Sequence, residues 1–439
     1  MKKESRALAA VLLLFVCRAV IASVTVPPWQ GPDEPTHFLL TRVLAMPGRG
    51  LWEVRPLVEK LVLQSMGEHR WWEPYGGRTP DPIPTNFDQI NRLGTGTYAQ
   101  PLYYGLGAIV LRGARTRGIE DAYWHLRAMS VVLGVAALAI GWAGTRLLFG
   151  PLVAIGATAI AALNPQFMLT AISVNPDALL IVLGSFIWWQ TARLWTGHRP
   201  AMSRILIVIT AVACLLTKRG AVPLVAVAAV IVVASLHRPA AWRITRRHVT
   251  WIAIFGAVGI AIMIGAWIAF EGPLAQLAAL WRGALNRNRP VSQISLREVI
   301  EYGRLSIDYV WLVGGWLRFA APEPWLWVAR ILTVTGLAGA ATMLVRSPQL
   351  RRRWAIAWLF VAVQAAAIVG WGFLTLRSPQ GRYLFPVIAP ATALLWVGLT
   401  DVAPVRFKPY AAPLLIAILA VMDVTGFTTL LIPAYLPWG

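Results

Sequence analysis

Acidic residues and cysteines are both scarce in this chain. Nineteen Asp and Glu stand against forty Lys and Arg over 439 residues, and charged residues of either sign make up only 13%. Soluble domains carry about a quarter of their residues as charges, so an ordinary water-soluble fold is excluded. The two cysteines, Cys17 and Cys214, lie inside apolar runs with no CxxC and no companion histidine pair, which excludes a disulfide framework and a thiolate metal site. What is abundant is apolar: 57% of residues are hydrophobic and the mean hydropathy is +0.61. That is the composition of an all-α polytopic membrane protein. The net charge of +21 would suit nucleic acid, but the arginines sit in short loops between apolar runs rather than on one face. Membrane topology and anionic head groups account for them, and no nucleic-acid partner is expected.

Runs of spanning length fall near 7–26, 128–149, 151–172, 178–196, 205–217, 220–237, 250–270, 325–345, 354–375, 384–400 and 410–432, so 11 spans are expected in a single membrane domain over 1–439. The 205–217 run is short and meets its partner after Lys218-Arg219-Gly220, as a tight hairpin or partly re-entrant pair. The first run reaches the ~20 residues needed to cross and is read as an uncleaved helix rather than a signal peptide. Arg18 inside it is read as snorkelling toward an interface.

The run Tyr98–Val110 decides the topology. If it lies in the interface, the clusters at Arg146, Arg193/Arg199/Arg204, Arg238/Arg243/Arg246/Arg247, Arg346/Arg351/Arg352/Arg353 and Arg406/Lys408 all face the cytoplasm with the basic N-terminus. Segment 98–113 is therefore expected to be interfacial, the N-terminus cytoplasmic, and segments 27–127, 271–324 and 376–383 external. In the first of these, Leu57, Val58, Leu61 and Val62 at helical spacing predict an amphipathic helix on the bilayer, with Trp71, Trp72 and Tyr75 as interface anchors. The stretch Gly76–Gly96 predicts a loop able to close over a site.

Directly after the first run comes Pro32-Asp33-Glu34-Pro35-Thr36-His37-Phe38. A carboxylate beside hydrocarbon costs several kcal/mol unless paired, hydrated or used. The bland alternative is a helix cap, with Asp33 capping and Pro35 in the first turn. The expected topology brings Asp33, Glu34 and His37 to the same outer face as Asn175-Pro176-Asp177, Lys218-Arg219 and Arg377-Ser-Pro-Gln-Gly-Arg382-Tyr383. Arginine forks and a lysine hold phosphate oxygens while an aspartate takes a proton or orients a nucleophile. A phosphate at the bilayer lip suits a polyprenyl-phosphate carrier. Capping also accounts for Asp177, an interfacial anchor for Arg382-Tyr383, and a plain turn for Lys218-Arg219. Asp33 and Glu34 could bind a divalent cation, Mg or Mn, only with Asp177 or water.

The strings Pro32–Phe38 and Gln380–Pro386, with Pro-Leu-Tyr-Tyr at 101–104, Arg127-Ala-Met-Ser and Thr-Arg146-Leu-Leu-Phe-Gly, resemble the GT-C superfamily of membrane glycosyltransferases, which includes protein O-mannosyltransferases and lipid A aminoarabinose transferases. The likeness is strongest to a bacterial membrane family marked by PxDEPxHF and QGRYxxP strings. The resemblance implies a glycosyltransferase using a polyprenyl-phosphate-linked sugar, with a glycan, lipid or protein acceptor, in a bacterial plasma (inner) membrane. It implies that Asp33 is the first-loop acid serving as base or acceptor-orienting group, with Glu34 its partner and Asp177 the second-loop acid. Arg127 matches an arginine kept near the site, and Lys218 a lysine in a Thr-Lys-Gly string, although this chain reads Thr217-Lys218-Arg219-Gly220. His37, Arg377, Arg382 and Tyr383 are expected on the substrate side. No large soluble domain follows the last run, which argues against peptide-sequon recognition. Two other classes remain open: a flippase of lipid-linked sugars, which wants polar groups at mid-bilayer, and a polysaccharide polymerase or ligase.

Overall fold

The computed structural model describes residues 2–46, 51–90, 93, 100–236, 296–314, 316, 318–346, 350–375 and 380–436. Among them the chain is a helical membrane bundle, with only one two-stranded hairpin, β1 (Val313–Gly314) and β2 (Phe319–Ala320). In chain order the helices are α1 (Lys2–Thr25), α2 (Glu34–Ala45), α3 (Leu51–Glu68), α4 (Pro101–Gly113), α5 (Ile119–Phe149), α6 (Pro151–Leu163), α7 (Pro165–Ile172), α8 (Asp177–Trp195), α9 (Pro200–Leu215) and α10 (Val222–Leu236). They continue with α11 (Leu296–Trp311), α12 (Glu323–Arg346), α13 (Arg351–Thr375), α14 (Ile388–Asp401), α15 (Lys408–Gly426) and a last turn, α16 (Ile432–Tyr435).

Eight helical segments among the described residues are long and apolar enough to cross a membrane, nine if the bent pair α6–α7 counts as one span. Of the expected spans, 205–217 is the sixteen-residue α9 and 250–270 lies outside the described residues, so the count of 11 is not established. The α6–α7 bend of 67° has a local cause. Pro165 cannot donate the helix bond its position requires, and Asn164 restarts the helix by accepting from Phe167 N–H at 2.8 Å.

Helix α4 has thirteen residues, about 20 Å at 1.5 Å per residue, short of a ~30 Å hydrocarbon core. It packs on α2 and α5 in a lobe whose core includes Trp29, Phe38, Tyr103, Tyr123 and Phe87. In α3 the stripe Val54, Val58, Val62 and Met66 is buried in this lobe, while Leu57 and Leu61 stay exposed. The helix expected at 57–62 is thus present, but its main apolar face is packed on protein. Trp71 corrects the anchor reading: it is buried, donates its indole N–H to Trp29 O at 2.9 Å, and meets Trp72 and Trp316 edge-on. Tyr75's side chain is outside the described residues. Of the stretch expected to form a loop, residues 76–90 and 93 are described; Phe87 within it is buried, with its N–H 3.5 Å from Glu59 Oε2.

Arg18 does not snorkel. It is buried in the bundle, its Nε donating to Asp423 Oδ2 of α15 at 2.6 Å and its Nη1 to Ala162 O. A second buried pair joins Asp308 of α11 to Arg330 of α12 at 2.7 and 2.8 Å, with Glu323 closing the group.

Candidate active site

The turn before α2 is built around a carboxylate that makes no contact with solvent. Glu34 is fully buried, and its two oxygens accept from Gly31 N–H at 3.0 Å and Val174 N–H at 2.9 Å. It fastens the first loop to the turn at 173–175. Gly31 is required there, because a Cβ would lie 2.7 Å from Ser173 Oγ. The next residue but one, Asp33, occupies the N-cap of α2 in the left-handed region (φ 62), yet its side chain makes no capping bond. For a residue with a Cβ that conformation costs about 1–2 kcal/mol, and such strain gathers at functional sites. The carboxylate instead meets Arg382, with Nη2 3.3 Å from Oδ2, and stays about half exposed.

Capping fails for Asp177 as well. Asn175 Oδ1 accepts from Asp177 N–H at 2.8 Å and organises the turn into α8. The Asp177 carboxylate, only 3% exposed, turns to cations: Lys218 Nζ lies 2.5 Å from Oδ1 and Arg382 Nε 3.6 Å from Oδ2. Lys218 sits in the turn after α9, its ammonium 4.6 Å from the centre of the Tyr383 ring. Arg382 lies in the 3₁₀ run Gly381–Val387, braced by Gln380 Oε1 at 2.9 Å and 5.6 Å from the same ring. The run approaches α11 so closely that Gly381 has its backbone against that of Tyr309, where no Cβ fits.

One turn beyond Asp33, His37 Nδ1 lies 2.8 Å from the Tyr104 hydroxyl. Burial drives the imidazole's pKa down to about 4, with Lys218 and Arg382 adding to the effect and Asp33 and Asp177 opposing it. His37 is therefore neutral near pH 7, a hydrogen-bonding group rather than a cation.

Asp33, His37, Asp177, Lys218, Arg382 and Tyr383 thus form one connected cluster. Arg127 is placed apart, its Nη1 donating to Ser23 O and Val26 O at 2.9 Å each and closing the end of α1. Arg377 lies outside the described residues. The sequence reading missed Tyr104 and Gln380 as members, although each stood in a string already singled out. The possible divalent ion finds few ligands: both Glu34 oxygens are held by backbone N–H groups, Asp177 Oδ1 by Lys218, and no group of three His, Cys, Asp or Glu among the described residues could hold a metal.

Residues 116–270, about a third of the chain, match the profile of the family described as dolichyl-phosphate-mannose-protein mannosyltransferase. The chain resembles the GT-C membrane glycosyltransferases. No curated protein matches it. Among solved structures, the oligosaccharyltransferase of Archaeoglobus fulgidus in the apo form is similar at 12% identity and a TM-score of 0.49, over 96% of this chain and 55% of that one. The same oligosaccharyltransferase with an inhibitory peptide and a dolichol-phosphate gives 13% and 0.45 over 94% and 55%. ArnT from Cupriavidus metallidurans in the apo state gives 17% and 0.47 over 92% and 62%. The chain spans a little over half the length of these structures.

Proposed function

We propose that this chain is a glycosyltransferase that moves a sugar from a polyprenyl-phosphate-linked donor to an acceptor hydroxyl at the external face of a bacterial plasma membrane. The observation that carries the reading is the unequal pair of acids facing one pair of cations: Asp33 is half exposed, while Asp177 is buried between Lys218 and Arg382. The matched family's description, with its dolichyl-phosphate sugar, supports a lipid-phosphate donor.

The roles divide by exposure. Asp33 takes the proton of the acceptor hydroxyl, whose oxygen forms a bond to the anomeric carbon as the bond from that carbon to the phosphate oxygen breaks. The electron pair leaves with the polyprenyl phosphate, whose growing charge Arg382 and Lys218 stabilise. Asp177 holds both cations in place, and Glu34 fixes the turn that aims Asp33. Neutral His37, steadied by Tyr104, hydrogen-bonds substrate oxygen. The Arg18–Asp423 pair is matched in charge and buried, which fits a brace between helices better than a translocation path. The test is transfer by the purified chain from a polyprenyl-phosphate sugar. Asp33→Asn is expected to abolish transfer while unfolding like the parent; full activity in that variant sinks the assignment of the base.

A further inference from the structure

The acid–cation cluster has a second side. Arg382 also borders a recess walled by Gln30, Gln166, Asn175, Gln380 and Tyr435. Its volume is ≈ 40 Å³, or ≈ 570 Å³ with the open solvent at its mouth included. Five segments distant in sequence meet there: the 30–32 turn, α7 with the turn after it, the β1 strand, the 380–382 run and α16. The break between α6 and α7 creates the recess, since a straight helix would carry residues 165–175 away from Arg382. Interrupted helices at membrane depth persist where they are buried in protein or line a cavity.

The lining is the informative part. Gln30, Asn175 and Gln166 are 2%, 1% and 7% exposed, and desolvating an amide is costly. Part of that cost is met by backbone: Gln166 Oε1 accepts from Val313 N–H at 2.8 Å, and Asn175 Nδ2 donates to Thr170 O at 3.2 Å. Gln380 likewise uses its carbonyl end on Arg382. The Nε2–H donors of Gln166 and Gln380 are left to whatever enters. A wall of amides with a single guanidinium at its edge matches a ligand with one anionic end and a neutral body that both donates and accepts hydrogen bonds. Tyr435 adds an aromatic surface for the less polar face of such a body.

We infer that this recess holds the sugar ring of the donor, its phosphate turned toward Arg382 and Lys218 and its anomeric carbon at the mouth beside Asp33. The inference rests on the proposed function and locates the group that reading transfers. It assigns sugar selection to Gln30, Gln166 and Gln380 rather than to the charged cluster.

The test uses the full chain in lipid nanodiscs and measures equilibrium binding of bare decaprenyl phosphate against decaprenyl phosphates carrying each of a panel of hexoses and pentoses. At least one sugar-bearing lipid is expected to bind more tightly than the bare carrier. Gln30→Met, close in volume, is expected to remove about tenfold of that preference, the worth of roughly one hydrogen bond, while leaving the bare carrier's affinity within about twofold. Thr170→Val, at the recess wall, gives a second variant should Gln30→Met fold poorly. If the bare carrier binds and no sugar adds affinity, or if the variants weaken both lipids equally, the recess assignment is overturned and the proposed function stands. If neither lipid binds, the proposed function falls and the recess assignment with it.

Discussion

Removing Lys218 should do more harm to folding than removing both Lys218 and the charge it balances. Asp177 is 3% exposed and has two cationic partners, at 2.5 Å and 3.6 Å. At equal screening the nearer partner contributes about 1.4 times the Coulomb energy of the farther one, so Lys218→Met strips away the larger share. Breaking one side of a buried pair costs about 3–5 kcal/mol, because it strands a charge in a medium that solvates it poorly. Arg382 stays in place and keeps the expected loss near the lower end, about 3 kcal/mol. Asp177→Asn alone frees a lysine that is 22% exposed and can reach water, so its loss should be smaller. In the double variant neither charge is stranded, and stability should return to within about 1 kcal/mol of Asp177→Asn, a coupling of about 2 kcal/mol. Equilibrium unfolding in mixed micelles reads all four proteins. The double variant should be folded yet inactive, which separates the electrostatic role from stability. Additive losses, with no coupling, would show that Asp177 and Lys218 do not form a pair and would refute the reasoning.

Four further expectations follow from the same geometry. Folded His37 stays neutral down to about pH 4, whereas an unfolded histidine takes its proton near 6.5. The contribution of this group is therefore intact above about pH 6.5 and falls away as pH drops toward 4, by about 3 kcal/mol in all; unfolding of His37→Gln across that window should show a correspondingly flatter decline. Because Asp33 is held at φ 62, Asp33→Gly should unfold with about 1 kcal/mol more stability than Asp33→Ala, both being inactive; equal stabilities would remove the strain argument. Gly381→Ala pushes a methyl into the Tyr309 backbone and should cost about 1–3 kcal/mol together with much of the activity, by displacing Arg382. Arg18→Met should destabilise strongly by stranding Asp423, and adding Asp423→Leu should recover most of the loss, as read by unfolding and not by transfer.

Much of the site was legible because its residues stand in short strings whose chemistry is unusual beside a membrane. Asp33, Asp177, Lys218 and Arg382 were expected on one face, and all four are in one cluster. Glu34 looked equivalent to Asp33 in sequence, but the first turn of α2 sends adjacent side chains in different directions, one toward Arg382 and the other into backbone amides. Arg18 looked like a snorkelling arginine because its partner lies 405 residues away, a separation no local pattern records. Trp71 looked like an interface anchor because composition cannot tell an aromatic belt from the core of a packed lobe.

Composition and periodicity by themselves determined that this chain is a helical membrane protein and where most of its spans lie. Those properties follow from transfer free energies and helix rise, which act residue by residue. Only the tertiary structure decided which acid stays near water, which is buried between cations, and that a bend at Asn164-Pro165 opens an amide-lined recess beside Arg382. Burial and pairing depend on what several distant helices place at one point, and that is a property of their packing rather than of any one segment.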